Sequence, residues 1–230
     1  MTTPPFAAEL AENANSYTPV GPAEIRIETS RYILWIGPGK APSWNVAQRL
    51  RLKAEEIEAT VEEVHGLLRE RDRDACTWEI GSSATPGDLR ERLLALGMKP
   101  DAEPYAVAML LDTEPPPVPP GIEVRPIETF EDYVAAREIQ ARAFGSTEEH
   151  AEEERERYKQ AWAEFDPTRG QPFVALLDGE VVAAATSSFT PWGVSLFGVA
   201  TAPEARGRGA YRALVRARWD EAVRRGTPVL

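Results

Sequence analysis

Val199-Ala200-Thr201-Ala202-Pro203-Glu204-Ala205-Arg206-Gly207-Arg208-Gly209-Ala210-Tyr211-Arg212-Ala213-Leu214 is the stretch from which the fold can be read. An apolar run ends at Val199–Ala200, a Pro turn follows, and Arg-Gly-Arg-Gly opens a helical pattern. Unpaired N–H groups at a helix start form an anion site, and the helix dipole strengthens it. Glycines let the main chain come close to a phosphate. Arg206, Arg208 and Arg212 add positive charge. The arrangement suits a pyrophosphate, although a Gly-Arg-Gly turn can also simply join a strand to a surface helix. A dinucleotide-binding fold places its glycines after the first strand of a βαβ unit and ahead of a distant acid. Here the glycines come late.

Working back from this turn, the spacing predicts strands at Val194–Ala200 and Val181–Phe189. A further strand at Pro172–Leu177 joins the latter through Asp178-Gly179, a strong hairpin signal. Before these come a strand at Ile122–Pro126, a helix over about Phe130–Phe144 and a very acidic helix over about Thr147–Phe165. Phe130, Tyr133, Val134, Ala141 and Phe144 are expected on one face of the first helix. A last helix is expected over about Gly209–Arg225. The order is β-α-α-β-β-β-α.

Upstream, Thr113-Glu114-Pro115-Pro116-Pro117-Val118-Pro119-Pro120-Gly121 lacks amide donors and is extended. It reads as a linker over 113–121 between an N-terminal part, 1–112, and a C-terminal part, 122–230. The N-terminal part begins with an acidic, mobile tail. It continues with a strand at Arg31–Ile36 and a long helix over Asn45–Arg73, striped by Leu50, Ala54, Ile57, Val61, Val64 and Leu68. A strand at Thr77–Ile80 follows. Thr85 then reads as the N-cap of a helix with Pro86 at its first position. A strand at Tyr105–Leu111 ends this part. The fold class is α+β, with a mixed, mainly antiparallel sheet flanked by helices.

Arg206-Gly207-Arg208-Gly209-Ala210-Tyr211 resembles the Gln/Arg-x-x-Gly-x-Gly/Ala signature of the GNAT (GCN5-related) N-acetyltransferase family, with Tyr211 where the family has a small residue. The order of elements resembles that family too, over about Gly121–Leu230. The resemblance implies an acetyl-CoA-dependent transfer of an acetyl group to a primary amine of a small molecule or protein. It implies that the amides of Arg206, Gly207, Arg208, Gly209, Ala210, Tyr211 and Arg212 cradle the cofactor pyrophosphate. Val199, Ala200 and Thr201 would hydrogen-bond the pantetheine arm, and an amide there would polarise the acetyl carbonyl.

The family commonly has a Glu on or near the strand Val194–Val199 as general base, but this strand has no carboxylate. Ser195 could hold a water, and Glu148, Glu149 and His150 fall where the family lines its acceptor site; for each, a structural or solvated role is the plainer reading. Trp192 either lines the acceptor pocket or packs on the sheet. The family's final strand-helix-strand is missing after Gly226. Either the chain is a truncated product, or the N-terminal part, a degenerate GNAT-like unit in tandem or a regulatory domain, packs beside the domain or completes it. A rival function is a CoA or acyl-CoA binding or assembly module without turnover.

The formal net charge of −11 argues against nucleic acid as a partner and mildly favours a cationic acceptor. No apolar run approaches the ~20 residues of a membrane span. Met1–Glu12 lacks the features of a signal peptide. With Cys76 as its one cysteine, the chain can form no internal disulfide, and the cytoplasm is the expected compartment. His65 and His150 share no metal-type spacing, so no metal is expected. The Asn45–Arg73 helix has the stripe for a coiled-coil contact and the protein could be a homodimer, but packing on a sheet is the simpler use of that stripe.

Overall fold

The computed structural model describes residues 6–103, 105, 107–144 and 151–230, with side chains from 155 onward in the last of these segments. The chain forms two compact units: Ala8–Met109, and Leu110–Leu230 together with Phe6 and Ala7. Each has its own four-stranded sheet.

The C-terminal unit follows the expected order. Strand β5 (Ile122–Pro126) leads to helices α4 (Phe130–Phe144) and α5 (Ala151–Ala163). Strands β6 (Gly170–Leu177), β7 (Glu180–Thr190) and β8 (Gly193–Thr201) follow, and helix α6 (Ala210–Arg224) comes last. The sheet order is β5-β6-β7-β8, antiparallel at every step. Phe173–Leu176 and Val182–Ala185 are buried without interruption, because helices cover both faces. Ala183 and Ala185 join Ala213 and Leu214 of α6 in one cluster. Ala184 and Val174 join Ala136 of α4 in another. Fully buried Leu214 contributes about 1.5–3 kcal/mol by leaving water. The inward face of α4 differs from the expected one: Val134, Ala136, Ile139 and Gln140 are buried, while Phe144 at its end is 66% exposed.

The N-terminal unit contains α1 (Ala7–Glu12), β1 (Ile25–Glu28), β2 (Ile33–Ile36), β3 (Asn45–Gln48), α2 (Ile57–Arg69), β4 (Thr77–Trp78) and α3 (Leu89–Ala95). Strands β1, β2 and β3 are antiparallel, and β3 pairs in parallel with β4 after the α2 crossover. Several expectations fail here. The supposed long helix is a strand, a connection and a shorter helix. Asn45–Gln48 is buried throughout because β2 and β4 flank it on both sides. The helix begins only after Lys53, whose N–H donates to Glu56 Oε2 at 2.9 Å.

Thr85 does not cap a helix. Its N–H donates to Leu50 O and its hydroxyl to Leu52 O, so it lies along the connection that follows β3. No strand forms over 107–111, although Leu111 makes strand-like bonds to Leu230.

The acidic N-terminal segment is tied down rather than free. Glu9 pairs with Arg51 at 3.1 Å, Asn13 Oδ1 accepts the Arg49 N–H, and Glu12 accepts the Ser83 N–H and hydroxyl, each at 2.8 Å. A Cβ on Gly81 would overlap the Glu12 carboxylate, so that turn is built around it.

Thr77–Trp78 pairs with Val46–Ala47 in this unit's own sheet, which excludes completion of the second sheet by Thr77–Ile80 within one chain. Among the described residues no helix is long and apolar enough to cross a membrane, and no group of three His, Cys, Asp or Glu is placed to hold a metal ion.

Candidate functional site

The site is built where β8 ends and α6 begins. Pro203–Ala205 forms a single 3-10 turn after β8. Gly207 and Gly209 then adopt φ of +77° and +97°, in the left-handed region where other residues are strained. Gly209 stands at the N-cap of α6, and no side chain caps the helix. Ala213 is the first helical residue whose N–H reaches back, to Gly209 O. The N–H groups of Ala210, Tyr211 and Arg212 therefore have no acceptor within the helix.

The N–H groups of Arg206 and Arg208 are already engaged, at 3.3 Å to Pro203 O and 3.4 Å to Ala205 O. This narrows the expected cradle, which counted both as donors. Their side chains, with that of Arg212, are exposed around the turn.

A cleft of about 390 Å³ lies over these donors, lined by Thr201, Ala205, Arg206, Gly207, Gly209, Ala210, Tyr211 and Arg212. Six of the seven turn residues expected to bind cofactor line it, and Thr201 adds the end of the strand. Val199 and Ala200 are in the strand leading to it, and Arg208 is in the turn. Tyr211 is 48% exposed at the first helical turn. A Cβ on Gly209 would come within 2.8 Å of Pro119 Cγ, so glycine is required there by space as well as by φ.

Strand β8 carries the second feature. Its pairing with β7 steps from Phe197 opposite Thr186 to Ala200 opposite Ala184. Gly198 and Val199 thus both face Ala185, and β8 bulges. Gly198 has φ +56°. The Gln140 side-chain amide on α4 donates to Gly198 O at 2.5 Å, and Arg137 donates to Gln140 Oε1 at 3.1 Å. The Arg137 guanidinium also lies 5.7 Å from the Tyr158 ring centroid. β8 is the last strand of its sheet. Among the described residues its outer edge is met by Val229, whose carbonyl accepts the Val194 N–H at 2.9 Å. At the end of the strand the Arg206 guanidinium donates to Thr201 O at 3.4 Å.

Ser195 is 7% exposed and stands opposite Ser188; its hydroxyl is buried without a hydrogen-bond partner among the described residues. Glu148, Glu149 and His150 lie outside the described residues. Trp192 occupies the two-residue β7–β8 turn, and its ring centroid is 4.5 Å from that of Phe6. Gln140 was not singled out by sequence reasoning. The one available signal was Gly198, since a glycine inside a strand pattern marks a bulge or a close approach.

The N-terminal unit repeats only the later part of this topology. β3, α2 and β4 stand in the order of β8, α6 and Val229. Yet Arg49–Glu56, which joins β3 to α2, has no glycine, and Glu56 Oε2 accepts the Lys53 N–H at 2.9 Å. Glu55 and Glu56 place carboxylates where an anion would bind.

The C-terminal unit is thus an α+β domain whose antiparallel sheet lies between helices. Residues 133–230 match the model of the acetyltransferase (GNAT) family, so the C-terminal unit carries a GNAT domain. A GCN5-related N-acetyltransferase from Kribbella flavida is 19% identical, with 97% of this chain and 83% of that one covered at a TM-score of 0.67. A tandem GNAT protein from the clavulanic acid biosynthesis pathway is 17% identical, with 91% and 74% covered at a TM-score of 0.54. Likeness at this identity shows the fold. No curated protein matches the chain.

Proposed function

We propose that the C-terminal unit is an N-acetyltransferase that uses acetyl-CoA, with a primary amine as acceptor. One observation carries the reading: the uncapped N-terminus of α6 opens, behind two left-handed glycines, onto a cleft that reaches Thr201 at the end of β8. The amides of Gly207, Gly209, Ala210, Tyr211 and Arg212 hold the pyrophosphate, and Arg206, Arg208 and Arg212 balance its charge. Main-chain groups of Val199, Ala200 and Thr201 pair with the pantetheine arm as a further strand would.

Acetyl-CoA supplies an acetyl group already activated as a thioester. The Val199 N–H donates to its carbonyl oxygen, where negative charge develops as the amine attacks. A water held by Ser195 takes one proton from the incoming ammonium and so frees its lone pair. The amine nitrogen bonds to the carbonyl carbon, the C–S bond breaks, and the second proton released by the nitrogen goes to the departing thiolate. The net charge of −11 steers a cationic amine.

A second reading, CoA binding without turnover, is favoured by the lack of any carboxylate on Gly193–Thr201. Thiol release from acetyl-CoA across a panel of amines decides between them. Release with at least one amine supports the transferase. Tight CoA binding with no release supports the binding module.

A further inference from the structure

We infer that Gln140 is a positioning residue: by holding Gly198 O it fixes the β8 bulge so that the Val199 N–H faces the acetyl carbonyl. This rests on the acetyl-CoA reading above. The link is peptide planarity. The carbonyl of Gly198 and the N–H of Val199 belong to one trans peptide, so they point in opposite directions. Gln140 Nε2 pulls the carbonyl toward α4 at 2.5 Å. The Val199 N–H is thereby turned away from α4.

Without such a hold, the peptide would be free to rotate. Gly198 sits at φ +56°, a conformation open to glycine, and the register leaves it and Val199 sharing one partner residue on β7. Gln140 is itself held. It is 6% exposed, and Arg137 donates to its Oε1 at 3.1 Å, which fixes which end of the amide faces the bulge. A Cβ at position 198 would approach Gln140 Nε2 to 3.0 Å, so the glycine and the glutamine fit each other.

The test compares CoA with acetyl-CoA, which differ only at the group that Val199 contacts. Binding of each is measured by calorimetry to the full chain and to its Gln140→Met and Gln140→Glu variants. The thioester carbonyl stretch of bound acetyl-CoA is read by infrared difference spectroscopy. The full chain should prefer acetyl-CoA by about fivefold, the worth of one hydrogen bond, and should shift the stretch to lower frequency. Gln140→Met should bind CoA normally, with the preference and the shift both lost. Gln140→Glu keeps the size of the side chain, so packing alone would preserve both. The inference expects it to lose them at neutral pH, where a carboxylate has no proton to donate, and to regain them as acidification protonates the carboxyl.

Variants that retain the preference and the shift would overturn the role of Gln140. A full chain that binds both ligands equally, with no shift, would overturn it too, leaving the phosphate seat intact. A full chain that binds neither would overturn the acetyl-CoA reading itself.

Discussion

Leu111 and Leu230 exchange both backbone hydrogen bonds, each 2.9 Å long. This mutual pairing is the signature of two antiparallel strands. With Val194 donating to Val229, it extends the C-terminal unit past β8 by two further segments, one of which precedes the proline-rich stretch in sequence. The side of the sheet beyond β8 is thus partly covered by the chain's own residues at 111 and 229–230.

Leu111→Pro removes the N–H donated to Leu230. It should destabilise the C-terminal unit by about 1–3 kcal/mol, the cost of a lost buried bond. Hydrogen exchange read by mass spectrometry should show faster exchange in peptides covering Val194 and Leu230, with those from the N-terminal unit unchanged.

The N-terminal unit should lose stability in acid through Glu63. The Tyr32 hydroxyl, and after it the Arg31 guanidinium, hold its carboxyl below the usual carboxylate range. A lowered acid favours the folded state above its unfolded pKa, and that share is lost as pH falls through the lower folded value. Glu63→Gln should flatten the acid limb of the unit's stability profile. The effect should be small, because the side chain is 38% exposed.

Cys76 should be inert while the unit is folded. Burial pushes its thiol up to about 12, so almost no thiolate exists near neutrality. An aromatic disulfide reagent at pH 8 should react only as fast as the unit opens, accelerating through the urea transition. The same raised value means that its contribution to stability is complete below the unfolded pKa of about 8.5 and is lost as pH rises from there toward 12.

Arg218 is fully buried on α6. Its Nε donates to Leu214 O at 3.0 Å, but neither terminal nitrogen has a hydrogen-bond partner among the described residues, and burial pushes its pKa down to about 10. Arg218→Met should raise stability by about 1–3 kcal/mol, since an apolar side chain replaces an uncompensated buried charge. A higher urea midpoint with an unchanged slope would show it.

The C-terminal unit was legible in the sequence because its signals are local. Asp178-Gly179 fixes a hairpin, and the glycine turn marks the start of α6. Its strands and helices came out near their observed ends. The N-terminal unit was less so. Asn45–Gln48 is a central strand with no alternation to give it away, and the apolar residues after it happen to continue a helical stripe. The acidic segment Ala7–Glu12 looked mobile because its partners, Arg51 and Ser83, are remote in sequence. Of the site, the glycine turn could be read because backbone conformation demands glycine there. The Gln140–Gly198 bond spans 58 residues and leaves no local pattern.

Titration of the full chain with CoA by calorimetry, beside the Gly209→Asp variant, tests the central claim most directly. A carboxylate and a Cβ placed at the start of α6 would occupy the phosphate seat and crowd Pro119. One CoA should bind per chain, because the corresponding corner of the N-terminal unit carries carboxylates, and the variant should lose at least about a hundredfold in affinity, as expected when charge-assisted hydrogen bonds are removed. Undiminished binding by a folded Gly209→Asp variant, or no binding by the unaltered chain, would contradict the account.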